Sequence, residues 1–490
     1  MTRPPPRSTA QPAASPTPRP AALSTAQPAA LPTEPTTRLN GRRRWPALLG
    51  IASVAAVVGI ALAAGAVRGL LSDGLFPASP ALAAQARAIA AAVIFTTSYL
   101  ALAIGEIPGL SIDRAGVALV GAALMVAAGV LSPEDAYRAI DLDTITLLLG
   151  VMIVVASLRL SGFFAVATLW VVERTKRPWI LLCAVTATSG VFSAFLVNDA
   201  ICLVLAPLVL DLTQRMGRKP MPYLLAVAMA SNVGSTATIT GNPQNILIGG
   251  FSRIPYTTFA LTLGPVALAG LVVTAGLIAL FHRSEFAGGA HLSMRPPTQR
   301  VNRVLVARAL LATAAMVGLF FAGQPPAKAA IVIGGFLLLT RRVKSTRVYK
   351  EIDWSLLLMF AGLFIIVDGA RKALLTQDVL NAVARLHLDQ VPVLSAVTAV
   401  LSNLVSNVPA VLVIRPFIEN LPGHDIAWLT VAMASTLAGN FTILGSIANL
   451  IVVQKAAARG VHIGFWDYFR VGAPLTMLTL AIGTFRMWWW

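Results

Sequence analysis

Long apolar runs separated by short polar links occupy the chain from about residue 45 onward. One run, Val227 to Ile248 (VAMASNVGSTATITGNPQNILI), sets the reading of the others. It is apolar enough for a membrane helix, yet Ser235, Thr236, Thr238 and Thr240 lead into Gly241, Asn242 and Pro243. Proline removes a backbone donor and clashes with the preceding turn, and glycine lowers helix stability. The run therefore predicts a helix that unwinds near Thr238 to Gln244 and then resumes. Within lipid such a break is tolerated only where protein or a water-filled cavity surrounds it. Val431 to Ile451 (VAMASTLAGNFTILGSIANLI) repeats the pattern. At a constant offset the two runs share VAMAS, Thr238/Thr442, Ile239/Ile443, Gly241/Gly445 and Asn245/Asn449, nine identities in 21 positions. Corresponding interrupted segments in two halves point to a transporter's midplane site.

Two further runs read as hairpins. Pro178 to Leu212 is too short for two spans of roughly 20 residues each plus a turn. Basic residues flank it on both sides, with Arg174, Lys176 and Arg177 before it and Arg215, Arg218 and Lys219 after it. Positive links mark the cytoplasm, so this segment enters and returns to one side, with Asn198 and Asp199 at its tip. Val391 to Leu421 is its counterpart, with Ser406-Asn407-Val408-Pro409 at the centre. Asn198 then aligns with Asn407, and Pro207 with Pro416. Its flanks (Asp389, Glu419, His424, Asp425) are not basic, so it enters from outside. Hairpins from opposite faces imply an inverted repeat.

The remaining runs predict spans at about 45–67, 84–105, 114–131, 144–158, 256–281, 304–322, 327–340 and 467–487. Another opens at Asp353 and ends near Asp368, Arg371 and Lys372. The second repeat opens at Asp353 much as the first opens at Asp143. The acidic link Ser132 to Asp143 fits the outside, and the basic links with Arg283, Arg295, Arg300 and Arg303 and with Arg341, Arg342, Lys344, Arg347 and Lys350 fit the inside. The tryptophans 488–490 suit an interface. The expected fold is an all-α polytopic membrane protein of about eleven transmembrane helices plus two re-entrant hairpins and two broken helices. Its N-terminus lies inside and its C-terminus outside. The expected divisions are a disordered Pro/Ala/Thr-rich tail (1–44), a first helix and link (45–83), repeat 1 (84–285), a central basic loop and connecting helix (286–326) and repeat 2 (327–490).

Composition supports the membrane reading: 57% of residues are hydrophobic and 12% charged, with a mean hydropathy of +0.76, whereas soluble domains carry about a quarter charged residues. The net charge of +18 sits in short links between apolar runs, which argues against nucleic acid as a partner. Cys183 and Cys202 lie inside hydrophobic runs and imply no disulfide framework; they read as packing residues. Five scattered histidines show no metal-ligand spacing. The spans hold no paired catalytic carboxylates, His-Glu zinc motif or Ser/His arrangement, and no phosphate-binding loop is present, so neither an enzyme nor an ATP-driven pump is expected.

GSTATITGNPQN and GNFTILGSIAN, each preceded by a hairpin centred on Asn, resemble the arsenite permease and citrate transporter-like superfamily. That group includes ArsB-type permeases, NhaD-type sodium/proton antiporters and divalent-anion/sodium symporters. The resemblance covers about 84–487. Symporters of the group carry Ser-Asn-Thr at each tip, whereas the tips here are Val197-Asn198-Asp199 and Ser406-Asn407-Val408, closer to the ArsB and NhaD branches. The implied activity is secondary transport of a small inorganic or organic anion across the cytoplasmic membrane, driven by a proton or sodium gradient. Sodium/proton antiport is the alternative. The expected ion- and substrate-binding residues are Asn198, Asp199, Thr238, Gly241, Asn242, Asn245, Ser406, Asn407, Thr442, Gly445 and Asn449, with sodium at Asn198, Asp199 and Asn407. No cofactor beyond sodium or a proton is implied, and a homodimer is one assembly open to such a chain.

Physical reasoning runs beside the resemblance. Carbonyls freed by unwinding, with Asn, Ser and Thr oxygens, suit a cation, and helix N-termini suit an anion. Asp199 is an ionisable group in an apolar segment, where such residues are rare and functional, so it is the residue expected to carry coupling. Arg415 is open to attracting an anion or to reaching the outer interface, and Asp368 with Arg371 reads as an ion pair.

Overall fold

The computed structural model describes residues 80–104, 112–164, 166–167, 177–286, 302–339, 343–419, 421 and 423–489. The expected tail, the first span at 45–67 and several of the basic link residues lie outside these. The described residues fall within one compact unit, Pro46–Trp490.

Among the described residues the chain is helical throughout. The first part runs α1 (Pro80–Ile104), α2 (Arg114–Ala127), α3 (Pro133–Ala139), α4 (Leu142–Ser161), α5 (Pro178–Phe195), α6 (Asn198–Arg215), α7 (Pro220–Ser235), α8 (Pro243–Ser252), α9 (Tyr256–Phe281) and α10 (Arg283–Phe286). The second runs α11 (Arg303–Phe321), α12 (Pro326–Leu338), α13 (Ser345–Lys350), α14 (Trp354–Leu374), α15 (Gln377–Ala384), α16 (Val391–Val405), α17 (Asn407–Ile418), α18 (His424–Ala438), α19 (Ile447–Ala457) and α20 (Phe465–Trp488). Local sequence sets many starts. Proline, which lacks the N–H a first turn cannot use, opens α5, α7, α8 and α12. Asp353 caps α14 through the Leu356 amide. In the first repeat the matching cap is Asp141, which accepts from the amides of Asp143 and Thr144. The repeat thus opens two residues before Asp143, because a carboxylate stabilises a helix from just outside its first turn.

Six described helices are long and apolar enough to cross a bilayer: those at Ala83–Ala103, Leu142–Ser161, Pro178–Phe195, Tyr256–Phe281, Arg303–Phe321 and Trp354–Leu374. Five other apolar helices are shorter, including α2, α12 and both arms of the second hairpin. The exposure pattern is that of a protein dissolved in lipid. Leu261, Leu268, Val272 and Leu311 are exposed, while Asn232, Asn242, Asn245, Asn440 and Asn449 are buried. Lipid accepts apolar side chains at the surface and forces polar ones inward to one another.

Both predicted hairpins fold back at their polar tips, as their hydrogen bonds show. Ser189 donates to the Val227 carbonyl (2.9 Å) and Thr238 to the Ala194 carbonyl, so α5 runs alongside α7 in the same direction. Past the tip, Asn198 Nδ2 donates to Asn232 Oδ1 (2.9 Å), and Cys202 Sγ meets Ser231 Oγ (2.9 Å) and the Val227 carbonyl (3.8 Å). α6 therefore returns along α7 the opposite way. In the second half, Ser402 donates to the Ser435 carbonyl (3.0 Å) and Asn403 to that of Ala438 (3.1 Å), which aligns α16 with α18. α17 returns: its Arg415 lies 3.7 Å over the Phe251 ring, and that ring is 6.1 Å from Trp428 near the start of α18.

Candidate functional site at the hairpin tips and helix breaks

Each broken helix unwinds as its sequence predicts. α7 ends at Ser235, a single 3₁₀ turn spans Ile239–Gly241, and α8 begins at Pro243. In the second half α18 ends at Ala438, the turn spans Ile443–Gly445 and α19 begins at Ile447. Thr238 and Thr442 precede the two turns with nearly the same extended backbone (φ −140°, ψ 165° and φ −135°, ψ 166°). The matched glycines are a steric requirement. A Cβ on Gly241 would lie 2.1 Å from the Ser235 carbonyl oxygen, and one on Gly445 2.8 Å from that of Gly439.

The side chains around the breaks are also matched. Asn245 Nδ2 donates to the carbonyls of Ser235 (3.1 Å) and Thr238 (3.0 Å). Asn449 Nδ2 donates to those of Gly439 (2.8 Å) and Thr442 (3.2 Å). The carbonyls freed by unwinding, expected to be open to a cation, are thus taken by the protein's own amides. The oxygens of these amides cross to the other half: Asn245 Oδ1 accepts from Thr436 (3.4 Å) and Asn449 Oδ1 from Asn232 (3.0 Å). Asn242 donates to Thr436 Oγ1 (3.0 Å), and its counterpart Ser446 donates to Asn232 Oδ1 (3.0 Å). Asn232 and Thr436 occupy equivalent positions in the two runs, so the contact is reciprocal, as a pseudo-two-fold relation requires.

Asn232 is the hub. Its oxygen accepts from Asn198 and Ser446, and its nitrogen donates to Asn440 Oδ1 (2.9 Å) and Asn449 Oδ1, which uses all four hydrogen-bonding places of the amide. Sequence reasoning missed it, because it sits in the helical part of its run and not at the breaker residues. A buried amide in an apolar run was the available signal.

In front of this network lies a cavity of about 30 Å³, room for a water molecule or two. Asn198 and Asp199 of the first tip, Ser406 and Asn407 of the second, and Gln244, Ser446 and Arg114 supply its polar lining. The remaining expected residues (Thr238, Gly241, Asn242, Asn245, Thr442, Gly445 and Asn449) do not line it; they build the breaks behind it. The Asn407 carboxamide, turned so that both ends are satisfied, donates to Ser402 Oγ (2.5 Å) and the Ser435 carbonyl (3.2 Å). Its oxygen accepts from Gln244 Nε2 (3.3 Å), again from the other half. Asn198 Oδ1 is buried and has no hydrogen-bond partner among the described residues.

The cavity wall is made of helix starts. α2 begins at Arg114, α6 at Asn198, α8 at Pro243, α17 at Asn407 and α19 at Ile447, and all five of these residues line the cavity. Neither tip helix, α6 or α17, has a side-chain cap, so their first amides stay available. Helix N-termini carry partial positive charge and unpaired N–H groups. Asp199 also lines a second cavity of about 90 Å³, with Asp353, Glu351 and Arg159. Ser406 sits at φ 76°, ψ 158°, a region that is essentially glycine's own and costs other residues about 1–3 kcal/mol. Strain of this kind collects at functional sites. Arg415 does not line the cavity; it is paired with Glu419 (2.7 Å) and stacked on Phe251. Asp368 pairs with Arg371 (2.6 Å) as expected. Cys183 and Cys202 are free thiols.

A citrate transporter family model matches residues 99–438. The chain belongs to the citrate transporter family. A silicon efflux transporter of Oryza sativa subsp. japonica is 29% identical over 483 residues, with 82% of this chain and 98% of the relative covered. An uncharacterised transporter of Mycobacterium tuberculosis is 29% identical at the same coverage, and an inner membrane protein of Escherichia coli is 30% identical over 72% of this chain and 89% of its own length. Among solved structures, the YdaH transporter of Alcanivorax borkumensis matches with a TM-score of 0.50 and 15% identity, over 70% of this chain and 84% of that one, a likeness of fold. This member of the citrate transporter family is a multi-pass membrane transporter.

Proposed function

We propose that the chain is a secondary active transporter of a small inorganic or organic anion in the cytoplasmic membrane. Its N-terminus is inside, and a proton or sodium gradient drives it by alternating access. One observation carries this reading: five helix N-termini and both hairpin tips meet at one small cavity that Asp199 also lines. Positive helix ends and free amides suit an anion. Asn198 and Asn407 would present the amides at the tips, and Asp199 would take the coupling ion. A cavity this small admits a solute only when the tips part. The relatives' names, a silicon efflux transporter and a citrate transporter family, support a small oxygen-rich solute.

The test is flux in proteoliposomes over a panel of anions, with sodium and pH gradients imposed separately. Asp199→Asn is expected to keep part of the substrate counterflow and to lose gradient-driven accumulation. Asn198→Ala and Asn407→Ala are expected to reduce transport severely while the protein still inserts. Normal gradient-driven transport by Asp199→Asn would make that residue structural.

Sodium/proton antiport is the second reading, favoured by the unpartnered Asn198 Oδ1 and by Asp199, the next residue, which lines the same cavity. Flux that follows added sodium, and ignores every added anion, would select it.

A further inference from the structure

Five of the described arginines are held in ion pairs: Arg159 with Glu351, Arg215 with Asp211, Arg218 with Glu285, Arg371 with Asp368 and Arg415 with Glu419. Arg114 is different. It opens α2, is half-buried and lines the central cavity, yet it makes no ion pair within 4 Å among the described residues. Asp199, on the same wall, lies beyond that distance. These two are the only charged side chains among the described residues that line the cavity.

Asp199 acts on Arg114 across the cavity, but a half-buried guanidinium without a direct ion pair is costly. It persists where something else supplies the charge part of the time. Arginine is also suited to the task by shape, since its planar fork of donors matches a carboxylate or oxyanion with two parallel hydrogen bonds. The uncapped start of α17 at Asn407, on the same cavity wall, offers backbone donors as well.

We propose that Arg114 is the specificity-determining charge of the cavity, and that the solute enters as a carboxylate or oxyanion held by its guanidinium. This deepens the reading of the cavity as the transport site and rests on it. It separates solutes that share size and oxygen content. Phosphate, arsenate and citrate are charged at neutral pH, whereas silicic and arsenious acids are not, and an uncharged acid gains little from a guanidinium.

The experiment uses the full chain in proteoliposomes at neutral pH and measures counterflow of phosphate, arsenate, citrate, silicic acid and arsenious acid. The wild type is expected to move at least one of the charged solutes. In Arg114→Gln the ratio of its flux to that of the uncharged acids should fall at least tenfold. In Arg114→Lys, which keeps the charge and loses the fork, the KM for the anion should rise several-fold. If Arg114→Gln does not yield folded protein by gel filtration, the Lys variant decides, and an unchanged KM overturns the proposal. A wild type that moves only the uncharged acids also overturns it. So does an Arg114→Gln/Asp199→Asn double variant that regains wild-type anion counterflow, because Arg114 would then serve only to balance Asp199. Asn407→Ala, run in parallel, keeps the two readings apart. If it too transports normally, the cavity is not the site. If it fails while Arg114→Gln transports anions normally, the cavity stands and the role of Arg114 falls.

Discussion

Asn245 and Asn449, one in each half of the chain, perform the same act: each amide nitrogen bridges the two carbonyls exposed by its own helix break, and each oxygen receives a donor from the opposite half. Both are buried. Alanine at either position orphans two carbonyls, at about 1–3 kcal/mol for each buried group. The expected outcome for Asn245→Ala and for Asn449→Ala is a lower yield of folded protein and an earlier thermal unfolding midpoint in detergent, by similar amounts. Wild-type stability in either variant would show that water replaces the amide at that break.

The hairpins carry a prediction of sidedness. Cysteines at Arg177 and Arg215, at the two ends of the first hairpin, should both react with a membrane-impermeant thiol reagent from the cytoplasm. Cysteines at Asp389 and Asp425, around the second, should react from outside. All four positions are exposed. Labelling of Arg177→Cys and Arg215→Cys from opposite faces would mean that the segment makes one net crossing, which overturns the hairpin.

Ser406 offers a test of stored strain. Ser406→Gly relieves a backbone conformation that costs about 1–3 kcal/mol, whereas Ser406→Ala keeps it. The glycine variant should unfold at a higher temperature than the alanine variant, and both should transport more slowly if the hydroxyl contacts the solute. Equal melting of the two would mean that the tip relaxes in solution.

Asp135 lies outside the membrane-spanning helices, and the Lys372 ammonium near the end of α14, 3.1 Å away, holds its carboxyl below the usual range and ties α14 to α3. A carboxylate depressed in the folded state adds stability above its unfolded value, about 3.9, and that stability is lost as pH falls through the lower folded value. The acid limb of unfolding should therefore move to higher pH in Lys372→Met. The shift should be small, because the pair is half-exposed, and should shrink with added salt. An unchanged acid limb at low salt would show that the pair adds nothing.

Much of the scaffold was legible because its signals are local. Thr238 to Pro243 announce a break through their own backbone chemistry, and the repeat at Thr442 to Asn449 confirms it by position. The tips announce themselves as polar residues in apolar surroundings. What escaped was pairing across distance. Nothing near Asn232 shows that its partners are Asn198, Ser446, Asn440 and Asn449, because no spacing rule links residues some two hundred positions apart. Arg114 escaped for a related reason. At the edge of a run it reads as a boundary, and only packing reveals that this boundary faces the cavity. The cap at Asp141 was displaced by two residues because Asp141 and Asp143 look alike in sequence, and only the backbone geometry chooses between them.

The saturation of Asn232 reaches beyond the site. An amide that needs partners from both halves at once stays unsatisfied until those halves have docked, and so does every donor waiting for it. Neither half can reach its final form as a separate piece, and a docking slipped by one turn leaves buried polar groups exposed to one another without partners. The joint therefore acts as a lock and key within one polypeptide. Its completion falls late in the biogenesis of the protein, after the segment that carries Asn449 has been made.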